Sequence, residues 1–170
     1  MATRGTVVLW GILLGTSLVL AEGTPVAKIA PSGDYLEFEQ DGRPGPERLP
    51  LHRTGGVRYF SAGIGVEERS ASYPAFSLKL VFTAGGKPFL SGVAVTIAPA
   101  RGGKPIVIPR EQVEGPWLFV DLAPGLYDVT ASYGNDRQRF KSVKVESGKQ
   151  RVIHLRWSHD HGISIHTPEE

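Results

Sequence analysis

The chain from Phe76 to Trp157 predicts an all-β fold, a seven-stranded sandwich of two facing sheets, and three observations predict it. Apolar side chains alternate with polar ones over short runs, the period of a strand with one buried face. Turn residues separate those runs about every 8–12 positions. The third observation is Asp121-Leu-Ala-Pro-Gly-Leu-Tyr-Asp-Val-Thr-Ala131, an apolar strand, a Pro-Gly turn and a tyrosine-bearing strand in succession. There Pro124 presets φ for the first central position of a type II turn, and Gly125 is expected to take the positive φ of the second.

The elements follow in order. Phe76, Leu78, Leu80 and Phe82 form the first inward set, against Ser77, Lys79, Val81 and Thr83. A turn at 84–87 precedes Val93, Val95 and Ile97, and the glycines and lysine of 101–104 close that strand. Ile106 to Ile108 is a short strand stopped by Pro109, and Trp117 to Leu122 is another after Gly115-Pro116. Tyr127, Val129, Ala131 and Tyr133 then face inward, and Gly134-Asn135-Asp136 makes a hairpin into 137–146. The last strand, 150–157, turns Ile153, Leu155 and Trp157 inward. Phe140 lies on the opposite parity from Val143 and Val145, so either a bulge intervenes or Phe140 points outward. Lys141 and Lys144 are suited to keeping an exposed edge from pairing.

Residues 22–75 are expected to be an irregular segment. Pro25, Pro31, Pro44, Pro46 and Pro50 break any helix, and 43–54 reads as a loop. Tyr35 to Glu39 fits a strand or an edge hairpin. Val57 to Ile64 is more apolar, and the glycines around it imply closely packed backbone. Glu67 to Ala71 fits one helical turn before Pro74.

The N-terminus reads as a secretory signal peptide, 1–21. Arg4 charges it, Val7 to Leu20 carries no ionisable residue, and Ala21 offers a cleavage point. The apolar run is 14 residues, short of the roughly 18–20 that span a bilayer. No later stretch is apolar enough to cross. The expected location is the periplasm or the exterior. Of 170 residues, 149 remain after that cut, with 18 basic against 17 acidic once Arg4 is gone. That balance gives no electrostatic case for nucleic acid. The absence of cysteine excludes thiol catalysis, Cys-based zinc sites and iron–sulfur clusters.

The segment 76–157 resembles the carboxypeptidase regulatory-like domain, a transthyretin-like (prealbumin-like) Greek-key β-sandwich. The residues that carry the resemblance are Leu78-Lys-Leu-Val-Phe82, Val93-Ala-Val-Thr-Ile97, Gly115-Pro-Trp-Leu-Phe119, Asp121-Leu-Ala-Pro-Gly-Leu-Tyr127 and the final Leu155-Arg-Trp157. Gly55-Gly-Val and Ser61-Ala-Gly-Ile-Gly-Val-Glu-Glu68 resemble the lead-in of small secreted proteobacterial proteins with this domain. The resemblance implies a non-catalytic accessory or binding module, not an enzyme, with no cofactor and an unidentified protein or glycan partner. The allied hydroxyisourate hydrolases end in Tyr-Arg-Gly-Ser. This chain ends His166-Thr-Pro-Glu-Glu170, so that activity is not implied.

Two other function classes compete. The polar tail 158–170 holds His159, His161 and His166, with His154 upstream, imidazoles suited to zinc, copper or nickel. Spacing i, i+2 on an extended chain would turn His159 and His161 to one side. His166 and Glu169 match a His-x-x-Glu pair only formally, because no third ligand follows. Carbohydrate recognition is the other class. Trp117 follows Gly-Pro at a strand start, where one ring face is available for a sugar, whereas Tyr127 and Trp157 have core parity. No Gly-x-Ser-x-Gly elbow exists. Glu37, Glu39 and Asp41 read as a solvated face, and Asp34 and Asp41 are too sparse for calcium.

Overall fold

The computed structural model describes residues 24–39, 44–85 and 90–158, and its strands form three sheets. The N-terminal part contributes β1 (Lys28–Ile29), β2 (Tyr35–Phe38), β3 (Glu47–Pro50), β4 (His52–Thr54), β5 (Val57–Ala62) and the short helix α1 (Val66–Ser70). Seven strands follow: β6 (Leu78–Ala84), β7 (Ala94–Pro99), β8 (Ile106–Ile108), β9 (Trp117–Val120), β10 (Gly125–Tyr133), β11 (Asp136–Val145) and β12 (Arg151–Trp157). Among the described residues the fold is all-β apart from α1 and a single 3-10 turn at Arg110–Gln112.

A four-stranded sheet in the order β11-β10-β7-β8 and a five-stranded sheet in the order β12-β6-β9-β5-β4 enclose the inner core. The alternation of β6 is what fills it: Leu78, Leu80 and Phe82 are fully buried while Lys79, Val81 and Thr83 are only half-buried. Val95, Ile97, Val129, Ala131, Ile153, Leu155 and Trp157 close the same core from the other strands. β12 lies parallel to β6, with Arg151 opposite Leu78 and Trp157 opposite Ala84.

A third layer covers part of the opposite face of the five-stranded sheet. On β5, Tyr59 belongs to the inner core and Phe60 to a second core. On β9, Leu118 and Val120 face inward while Trp117 and Phe119 face the second core. The three-stranded sheet β1-β2-β3 supplies Leu36, Phe38 and Leu49 to that second core. The expectation of an irregular 22–75 segment is therefore corrected for its described part, and the loop expected at 43–54 contains β3 and β4. These strands are two to six residues long, too short to display a period of their own. Within the apolar run 57–64 the strand β5 (Val57–Ala62) forms, and the helical turn expected at Glu67 to Ala71 falls largely on α1. The signal peptide expected at 1–21 lies outside the described residues. Among the described residues no helix is long and apolar enough to cross a membrane.

The odd parity of Phe140 is resolved by a bulge. Tyr127 pairs with Val143 and Val129 with Phe140, so Lys141 and Ser142 together oppose Asp128. Ser142 has φ 55°, and its N–H donates to Asp128 Oδ1 at 3.0 Å. That amide, and then the Arg139 guanidinium at 3.2 Å, hold the Asp128 carboxyl below its ordinary range. The bulge returns Phe140 to the margin of the inner core. Lys141 and Lys144 do lie on β11, an edge strand.

Gly125 departs from expectation. It begins β10 and does not take a positive φ. Its missing side chain serves another purpose: a Cβ there would come 3.3 Å from Tyr127 Cε2. The Tyr127 ring folds back over Gly125, and its hydroxyl donates to the Ala123 carbonyl at 2.9 Å, the geometry of a tyrosine corner. Tyr127→Phe is expected to cost about 0.5–1 kcal/mol, one exposed hydrogen bond. In a chain of this size that lowers the melting temperature by about 1–4 °C, which differential scanning calorimetry resolves.

Candidate functional site

β6 and β9 bring the sequence's candidate ligand residue, Trp117, next to a lysine. Antiparallel register sets Lys79 opposite Phe119 and Val81 opposite Trp117 on the outer face of the five-stranded sheet. Lys79 Nζ lies 3.6 Å from the Trp117 ring centroid and 5.0 Å from that of Phe119. Both are cation–π distances, worth about 0.5–2 kcal/mol in a partly desolvated place. Burial pulls the Lys79 amine below its ordinary pKa.

The Trp117 ring also packs against the turn after β5, where a Cβ at Gly63 would come 3.1 Å from Cδ2. This is the close backbone packing that the glycines predict. The turn is fixed by α1. Buried Glu68 accepts from the Gly63 N–H at 2.6 Å and the Ile64 N–H at 3.2 Å through Oε2. Arg69 Nη1 donates to the carbonyls of the same two residues, at 3.2 and 2.8 Å. The Tyr73 hydroxyl donates to the Glu68 carbonyl at 2.8 Å. Burial first, and the Glu68 charge second, push that phenol far above its ordinary range, so it stays protonated.

These elements surround a shallow depression of about 390 Å³ whose lining includes Arg69, Tyr73, Lys79, Trp117, Phe119 and Gln150. Among the described residues two cations line it and no carboxylate does. Gln150 Nε2 donates to the Phe76 carbonyl at 2.9 Å, tying the start of β12 to the rim. Arg69 and Lys79 together can attract an anionic group. The Trp117 ring offered by the sequence as a sugar platform already carries the molecule's own ammonium group. Lys79 itself sits at a polar position of an alternating strand. Parity correctly turns it away from the inner core, and nothing in the sequence marks its place over two rings.

The other candidates that lie among the described residues do not converge. His159, His161 and His166 lie outside the described residues. His154 is exposed on β12, and His52 is on β4, the other edge of the same sheet. His52 stacks on Tyr59 at 5.4 Å, and burial lowers its pKa against the opposing Glu114 charge. Among the described residues no group of three or more His, Cys, Asp or Glu side chains is placed to hold a metal. Glu37 pairs with Arg48 at 3.2 Å across β2 and β3, and Asp41 is outside the described residues. Ser61 and Ser77 hydrogen-bond to backbone of the strands beside them.

Comparison with known proteins adds little. No protein-family model and no curated protein matches the chain. Among solved structures the chain is similar to the Bacillus anthracis TIE protein, at 16% identity and a TM-score of 0.37. That alignment covers 74% of this chain and 23% of the other. A TM-score at that level does not establish a common fold.

Proposed function

We propose that this chain is a non-catalytic, periplasmic or secreted accessory module built on a carboxypeptidase regulatory-like sandwich. It contacts an acidic group of a protein or glycan partner at the Lys79–Trp117 depression. The observation that carries the reading is a lining with two cationic side chains, Arg69 and Lys79, and no carboxylate among the described residues. Seven strands between 78 and 157, arranged in two facing sheets, support the sandwich assignment. The charge-then-apolar pattern of 1–21, read as a signal peptide, supports export.

An anionic group gains Coulomb attraction from both cations at a place where bulk water is partly excluded. A neutral sugar would have to displace Lys79 from the Trp117 ring first. The test is an immobilised array of acidic and neutral glycans and peptides probed with the purified protein. Binding is expected only to carboxylate- or sulfate-bearing members and is expected to fall with salt. Lys79→Gln should weaken it about fivefold, equivalent to about 1 kcal/mol for a half-exposed pair. Ester, peptide and glycoside substrates should be turned over no faster than in buffer. Turnover in any of those screens, or binding indifferent to Lys79→Gln, defeats the reading.

A further inference from the structure

A second depression, of about 610 Å³, lies where β7 ends, β10 begins and β11 ends. Its floor is apolar: Pro99, Leu126, the Tyr127 ring and Val145. The Tyr127 hydroxyl is engaged by the Ala123 carbonyl, so the residue offers the depression its ring. Leu126, the second residue of β10, is 40% exposed between two partly buried neighbours. Two cations stand at the rim, Arg101 and Lys144. Lys144 Nζ is paired with Glu146 Oε1 at 2.9 Å. Arg101 is exposed and has no hydrogen bond or ion pair with another described residue.

We infer that this depression binds an amphiphilic carboxylate, an aliphatic chain with one anionic head. The floor gains by covering apolar surface that otherwise faces water. The size falls within the roughly 300–1,000 Å³ of small-molecule sites. The fork of the Arg101 guanidinium matches a carboxylate in two parallel hydrogen bonds. A neutral chain would forgo that pairing, and a cationic one would be repelled by Arg101. Charge complementarity thus selects the anion, and the floor selects its tail. The site is separate from the Lys79 depression, with which it shares no lining residue.

The test is a ¹⁵N–¹H NMR titration of the purified protein with octanoate, and in parallel with octanol. Octanoate should produce saturable shifts confined to residues 99–101, 124–127 and 143–146. Octanol should bind about fivefold more weakly or worse, for want of one charge-assisted contact. Arg101→Gln should abolish that preference, Leu126→Asn should weaken both ligands, and Lys79→Gln should change neither. Both altered residues of this site are exposed enough for the fold to persist, which the dispersion of the variant spectra will show. Absence of saturable shifts, equal affinity for octanoate and octanol, or an unaltered preference in Arg101→Gln would overturn the inference.

Discussion

Phe60→Ala is expected to cost about 3–5 kcal/mol, the range for deleting a fully buried phenylalanine and leaving a cavity. Phe60 is the hub of the second core. Its ring stacks on Phe119 at 4.6 Å, meets Phe76 edge-on at 4.9 Å and touches Tyr73 at 5.3 Å. It has no exposed surface. Geometry-dependent ring contacts add about 0.5–1.5 kcal/mol per pair beyond area burial. The site has little freedom to collapse, because β5 is hydrogen-bonded between β4 and β9. Urea denaturation should show a lower midpoint with an unchanged slope, and near-UV circular dichroism should lose aromatic intensity. A wild-type midpoint would mean that the three-stranded sheet is a loose appendage, contrary to the shared core described here.

Gly115→Ala should cost about 3 kcal/mol, toward the upper end for overpacking. A Cβ at this position would stand 2.3 Å from the Ala62 carbonyl oxygen and 2.7 Å from its carbon. Both are backbone atoms of β5, so no side chain can swing away. The same approach lets the Gly115 N–H donate to Ser61 Oγ at 2.8 Å. Any shift that admits the methyl group therefore also breaks that bond, and it displaces Trp117 two residues on. For a chain of this length the melting temperature should fall by about 6–12 °C. A fall of less than about 2 °C would show that the backbones are not in contact.

Legibility in the sequence varied with the number of buried faces a strand has. β6 and β12 bury one face in the described residues, so Leu78, Leu80 and Phe82, or Ile153, Leu155 and Trp157, could be read as inward from alternation alone. β9 buries both, and Trp117-Leu-Phe-Val120 accordingly shows no alternation. That unbroken apolar run was the available sign of a second layer, but it does not say which segment provides the cover. The bulge was half legible: parity demanded either a bulge or an outward Phe140, and the Asp128 carboxylate on the Ser142 amide decided between them. Pro124-Gly125 misled, because glycine at a turn has two uses, a positive φ or room for a neighbour. Only the position of the Tyr127 ring distinguishes them.

By itself, then, the order of residues determined the all-β class, the seven strands after position 76 and the inward set of each alternating strand, because a period of two is a local property of the chain. It also named Trp117 as a residue to watch. Tertiary structure alone decided that β1, β2 and β3 form a third layer, that Lys79 rests on Trp117 and Phe119, and that Arg101, unpaired among the described residues, stands beside an apolar floor. Those juxtapositions join residues tens of positions apart, and the distances between them are set by how sheets pack rather than by any pattern a single segment can carry.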